Sequence, residues 1–180
     1  SISSKGEFSN PKLFSKVNYS IFNEDTPIFS KDGNTMYYTQ NQLMNNSNHK
    51  LINGGFKLYK SILVKNKWVN KGSISFGLKD DIRIAHPALS PDGQYLYFAS
   101  DNFTKYGDSD LFRVSISLDG TFGVIENLGE KINTEGRDSY PYITSDNFLI
   151  FASDGRPGLG GFDLYSIDMN DPKAKVIPLG

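Results

Sequence analysis

One pattern of residues recurs three times along this 180-residue chain, and that repetition limits its possible folds more than any other feature. The middle copy reads His86-Pro87-Ala88-Leu89-Ser90-Pro91-Asp92-Gly93-Gln94-Tyr95-Leu96-Tyr97-Phe98-Ala99-Ser100-Asp101. The first matches it as Thr26-Pro27-Ile28-Phe29-Ser30-Lys31-Asp32-Gly33-Asn34-Thr35-Met36-Tyr37-Tyr38-Thr39. The third drops one residue at the turn and runs Tyr140-Pro141-Tyr142-Ile143-Thr144-Ser145-Asp146-Asn147, then Phe148-Leu149-Ile150-Phe151-Ala152-Ser153-Asp154. The leading prolines stand 60 and 54 residues apart. A repeat of this length means that one supersecondary unit stacks on copies of itself, because a single unit cannot bury its own apolar surface.

Within each unit the punctuation is that of hairpins. Asp32-Gly33, Asp92-Gly93 and Asp119-Gly120 accept the positive φ that such turns require, and Asn147 can stand in for glycine. A second matching block follows at variable distance: Gly55-Phe56-Lys57-Leu58-Tyr59, Asp108-Ser109-Asp110-Leu111-Phe112 and Gly161-Phe162-Asp163-Leu164-Tyr165. From there the pattern has period two, with Phe112, Val114 and Ile116 alternating with Leu111, Arg113 and Ser115. Helix formers are scarce, with Ala 5 and Glu 5 against Asp 15, Asn 16, Ser 20 and Gly 17. The expected fold is all-β, a β-propeller segment of about three four-stranded antiparallel blades. The repeat units span approximately 24–80, 83–136 and 137–180, with 1–23 as the end of a preceding blade or a linker. Leu128-Gly129 matches Leu179-Gly180, so the chain is expected to stop inside a repeat and to belong to a larger propeller. Three blades alone would also leave β edges open to association.

Charge and composition remove several classes of function. Nineteen Lys and Arg against twenty Asp and Glu leave a net charge of −1, without the basic footprint of a nucleic-acid binder or a polybasic membrane anchor. The absence of cysteine excludes disulfides, thiolate metal sites and a cysteine nucleophile. The longest apolar run, Phe148-Leu149-Ile150-Phe151-Ala152, falls far short of the roughly 20 residues of a membrane-spanning helix. The first ten residues have neither the basic nor the apolar region of a signal peptide.

Three stretches together resemble one family. They are Ser90-Pro91-Asp92-Gly93-Gln94-Tyr95-Leu96-Tyr97-Phe98-Ala99-Ser100, Leu128-Gly129-Glu130-Lys131-Ile132-Asn133-Thr134-Glu135-Gly136-Arg137-Asp138, and Gly158-Leu159-Gly160-Gly161-Phe162-Asp163-Leu164-Tyr165. The resemblance is to the WD-like β-propeller repeat of TolB-type proteins, in the variety found in Bacteroidetes envelope proteins of the OmpA family, and it covers residues 14–180. It implies a periplasmic, outer-membrane-associated protein, often a lipoprotein, of the kind found in type IX secretion and gliding machinery. It also implies envelope-protein partners, and peptidoglycan binding through a domain outside this chain. The first unit departs from the pattern, with Phe14-Ser15-Lys16-Val17-Asn18 in place of the Leu-Gly segment and an Asn-rich stretch at 40–54 that reads as a long loop.

Topology narrows where a site can lie. Successive strands a, b, c and d of a blade run antiparallel, so the b–c loops (40–54, 101–109 and 154–161) share a rim with the d–a connections (79–85 and 130–139). These are the long polar segments, and the tight Asp-Gly turns occupy the opposite rim, so the first rim is the expected binding face. Its candidate residues are Arg83, His86, Asp101, Phe103, Tyr106, Asp108, Asp110, Glu135, Arg137, Asp138, Asp154 and Arg156. Asp101, Asp108 and Asp110 could ligate a hard cation, but the complete calcium-loop pattern is missing and aspartate often caps loop amides instead, so no metal or cofactor is assigned. No local motif assembles a nucleophile, base and orienting acid. The Gly158-Leu159-Gly160-Gly161 run has no following helix to offer a phosphate. The expected function is therefore a non-catalytic interaction scaffold. Its alternatives are a carbohydrate- or peptide-binding propeller and the regulatory propeller of a peptidase.

Overall fold

The computed structural model describes residues 24–45, 51–78, 82–102 and 104–179, together with residues 6, 8 and 10. Among the described residues strands make up 55% and there is no helix. Strands β1 (Glu24–Phe29), β2 (Thr35–Asn45), β3 (Leu51–Val64) and β4 (Lys67–Ser73) pair in chain order as the first antiparallel sheet. The second contains β5 (Ile84–Leu89), β6 (Tyr95–Ser100), β7 (Asp110–Ile116) and β8 (Phe122–Asn127). The third contains β9 (Asp138–Ile143), β10 (Phe148–Ser153), β11 (Asp163–Asp168) and β12 (Ile177–Pro178). These are three blades of a β-propeller segment, with β5 adjoining both β1 and β9 as its inner strands.

The turns follow from their residues. Gly33, Gly93 and Gly120 donate their amides to Ser30, Ser90 and Ser117, and Asn147 does the same to Thr144, all with positive φ. In the first turn of each blade a hydroxyl fixes the loop: Ser90 Oγ donates to Asp92 at 2.5 Å and accepts the Tyr95 amide at 2.9 Å. Ser30 and Thr144 repeat that geometry.

The continuous apolar run of β6 is explained by burial on both faces. Leu96 and Phe98 enter a core shared with Tyr37 and Leu58 of the first blade, whereas Tyr97 and Ala99 enter one shared with Leu149, Phe151 and Tyr165 of the third. A blade between two others has no solvent face, so its middle strands lose the usual alternation. Outer strand β4 keeps it, exposed and half-buried by turns.

The loop reading of 40–54 is corrected. Strands β2 and β3 continue through much of it, pairing Leu43 with Asn53, Met44 with Ile52 and Asn45 with Leu51 after a register shift past Asn41. Asparagine is poor in strands, but a ladder already in register extends on backbone hydrogen bonds alone. Segment 79–81, the bulk of 1–23 and Gly180 lie outside the described residues, so the unit ends at 80 and 180 do too.

Each inner strand carries one irregularity at the same place. The β1–β2, β5–β6 and β9–β10 registers slip at the repeat prolines, and the preceding residues, Thr26, His86 and Tyr140, have φ of 45°, 56° and 53°. Such backbone costs on the order of 1–3 kcal/mol per residue and persists only where its surroundings impose it. The bulge re-aims these side chains at the mouth of the space between the blades.

Candidate functional site

That mouth is a cleft of about 790 Å³ to which all three blades contribute. Two of the bulge residues, His86 and Tyr140, line it, with Thr26 bonded behind them. His86 donates its backbone N–H to Thr39 Oγ1 at 3.0 Å, Thr26 and Thr39 share a hydroxyl contact at 3.3 Å, and the His86 and Tyr140 rings pack at 3.9 Å between centroids. Phe162 meets Tyr140 edge to face at 6.1 Å, and Phe56 closes the first-blade side. Tyr140 is 48% exposed and Phe162 and Phe56 are each 41% exposed, an uncommon amount of open aromatic surface around one concavity.

The polar wall is built from one device used twice. Arg83 meets Asp101 in a two-point pair, Nε to Oδ1 at 3.1 Å and Nη2 to Oδ2 at 2.9 Å. Arg137 contacts Asp154 through Nε at 2.8 Å and Nη2 at 2.7 Å, and its backbone N–H donates to Oδ1 at 2.6 Å. In both blades the clamp joins the d–a connection to the b–c loop of the same blade. The Arg137 guanidinium also lies 4.9 Å from the Phe162 ring centroid. Hydrogen bonds from Arg137, above all from its backbone, hold the Asp154 carboxyl below its ordinary pKa. Burial pushes the His86 imidazole below its ordinary value, and the carboxylate of Asp25, 3.9 Å away, offsets this only in part. Asp108 is exposed in the cleft and has no ion-pair partner among the described residues.

Of the candidates read from sequence, Arg83, His86, Asp101, Asp108 and Arg137 come together here, with Asp154 paired behind Arg137. Glu135 is exposed on the same d–a connection. Tyr106 lies outside the cleft, under the Lys105 ammonium at 5.0 Å, and Phe103 lies outside the described residues.

Three candidates prove to be parts of the scaffold. Asp110 is fully buried and its Oδ2 accepts the Lys105 amide at 2.8 Å, the Tyr106 amide at 3.3 Å and Asn127 Nδ2 at 2.8 Å, so it caps the b–c loop. Asp138 is fully buried too, accepting the Thr134 amide at 2.6 Å and hydroxyl at 2.9 Å, and burial raises its pKa despite these bonds. Arg156 turns inward, donating to the Lys131 and Ile132 carbonyls and stacking near Phe151 and Tyr165. The Ile132-Asn133-Thr134 run has a matching structural explanation. Ile132 enters the core, Asn133 bonds both backbone groups of Leu111 at 2.8 and 3.1 Å, and Thr134 holds Asp138.

Sequence reasoning missed the open aromatics Tyr140, Phe162 and Phe56. The signal was present in the repeat: Tyr140 replaces Thr26 and His86 at the bulge, and Phe162 replaces Ser109 beside it. The tight-turn rim has its own smaller cleft, about 260 Å³, beside Tyr95, Arg113 and Asn147. Among the described residues no cluster of three or more His, Asp or Glu is arranged to hold a metal ion, and no helix is long and apolar enough to cross a membrane.

No protein-family model and no curated protein matches the chain. Among solved structures it is similar to a Mycobacterium tuberculosis puromycin-hydrolyzing peptidase, with a TM-score of 0.53 and 14% identity over 88% of this chain and 24% of that one. A puromycin hydrolase mutant complexed with PGG gives a TM-score of 0.49 and 15% identity over 86% of this chain and 22% of that one. The chain thus spans about a quarter of the length of the first of these proteins. At such identity the likeness extends to the fold, a β-propeller segment, and to none of the chemistry.

Proposed function

We propose that this chain is a recognition module, acting by binding and without catalysis, whose working face is the rim shared by the b–c loops and d–a connections. The observation that carries the reading is the larger cleft, which opens on that rim, draws side chains from three blades and is about three times the volume of the cleft on the turn rim. Loops held by a rigid sheet scaffold are where binding residues concentrate. A bacterial envelope setting, with envelope proteins as partners, is part of the proposal and is supported by the resemblance of the repeat.

The test compares the two rims. Asp108→Lys with Glu135→Lys changes exposed groups on the working face, and Lys31→Glu with Gln94→Arg changes the turn rim. Exposed substitutions of this kind rarely alter stability by more than about 0.5 kcal/mol. Capture of envelope proteins by the immobilised chain should fall with the first pair and survive the second. Loss with the second pair alone would refute the choice of face, and turnover of a peptide or glycoside substrate by the purified protein would refute the non-catalytic reading.

A further inference from the structure

We propose that the cleft is a saccharide site, taking a neutral pyranose against Tyr140 and Phe162; this rests on the same rim being the recognition face. The volume, about 790 Å³, falls in the range of small-ligand sites. Sugar rings have an apolar C–H face and a hydroxyl edge, so they need an open aromatic plate beside fixed polar groups, and both are present.

The plate is pre-set. Tyr140 is nearly half exposed while its ring is held by the His86 ring at 3.9 Å and by a T-shaped contact with Phe162 at 6.1 Å, so little side-chain freedom is left to lose on binding. Phe162 is steadied by the Arg137 guanidinium. The two guanidinium charges are already neutralised. Arg83 is paired with Asp101 and Arg137 with Asp154, which disfavours phosphates and other anions and leaves remaining N–H donors and carboxylate lone pairs at fixed positions for hydroxyls. The unpaired Asp108 carboxylate adds an acceptor, and its negative charge further disfavours an anionic ligand.

An extended peptide is the competing ligand, and the backbone argues against it. Peptides bind to sheets by adding a strand at an open edge, and β5 and β9 are end strands of their sheets. Pro87 and Pro141 remove a donor from those edges, the bulges interrupt their register, and the His86 amide is already committed to Thr39.

The experiment is titration calorimetry of the full chain with three neutral trisaccharides, N,N′,N″-triacetylchitotriose, cellotriose and maltotriose, at low and high salt. At least one should bind, with an affinity insensitive to salt because no net charge is neutralised. Tyr140→Ala and Phe162→Ala should each weaken it about tenfold, as expected for loss of an aromatic contact. Tyr140→Phe, which keeps the plate, should bind within about twofold of the parent and serves as the control for folding. Absence of binding by all three sugars, or binding indifferent to both alanine changes, overturns the proposal. So does Tyr140-dependent binding of an unstructured peptide panel without sugar binding. In either case capture that still responds to Asp108→Lys with Glu135→Lys would leave the recognition face standing, so the two readings fail separately.

Discussion

Replacing Gly136 by alanine tests how the rim is held together. Gly107 of one b–c loop, Gly136 of the d–a connection and Gly155 of the next b–c loop pack backbone against backbone. A Cβ on Gly136 would lie 2.7 Å from both the Cα and N of Gly155 and 2.5 Å from Asp154 Oδ1. The Gly155 atoms are backbone and the Asp154 carboxylate is pinned by Arg137, so the backbone itself must move. That movement pulls on the Asp108 amide bond to the Gly136 carbonyl and on the Asp154 amide bond to Arg137. Forcing a methyl into closed packing costs about 1–3 kcal/mol, and with backbone on the contact face the upper end applies. For a chain of this length, about 3 kcal/mol lowers Tm by roughly 6–12 °C. Gly33→Ala is the comparison: its φ is +69° but nothing lies within 4 Å of the added carbon, so only the conformational cost of about 1 kcal/mol is expected. Thermal unfolding followed by circular dichroism reads both. A Gly136→Ala protein melting within about 2 °C of the parent, or above Gly33→Ala, would refute the close-packing argument.

Other changes probe the core and the buried charges. Phe98→Ala empties a fully buried ring position between the first and second blades and should cost about 3–5 kcal/mol in denaturant unfolding. Asp138→Lys places an unmatched cation where two Thr134 groups donate, and should leave the protein unfolded or aggregated by size-exclusion chromatography. Asp138→Asn keeps an acceptor there and should fold. His86 has its pKa lowered by burial, so between its folded value and the ordinary 6.5 the unfolded chain binds more protons. Stability should therefore decline as pH falls through about 6.5, and His86→Phe should flatten that part of the profile of Tm against pH.

Much of the architecture is local and therefore legible in the sequence. Asp32-Gly33, Asp92-Gly93 and Asp119-Gly120 make turns because glycine accepts positive φ, and Asn147 does so in their place with φ of 68°. The three-copy register of those turns dictates three like blades, and the unbroken apolar run Tyr95-Leu96-Tyr97-Phe98-Ala99 reports a strand buried on both faces. The rim was legible too, because antiparallel succession alone decides which connections share an end. The chemistry on that rim was not. Asp108 and Asp110 differ in sequence only by position, yet one is open to solvent and the other is enclosed by amides from residues 105 and 106 and by Asn127. Asp138 is interior because Thr134 folds back to bond it, and Arg137 beside it is exposed because its partner, Asp154, stands across the strand pair. The strands at 40–54 carry no alternation to betray them, since their ladder rests on backbone groups that every residue shares. Burial of a polar side chain, and exposure of rings such as Tyr140 and Phe162, depend on which distant segments arrive around it, and only the assembled blades decide that.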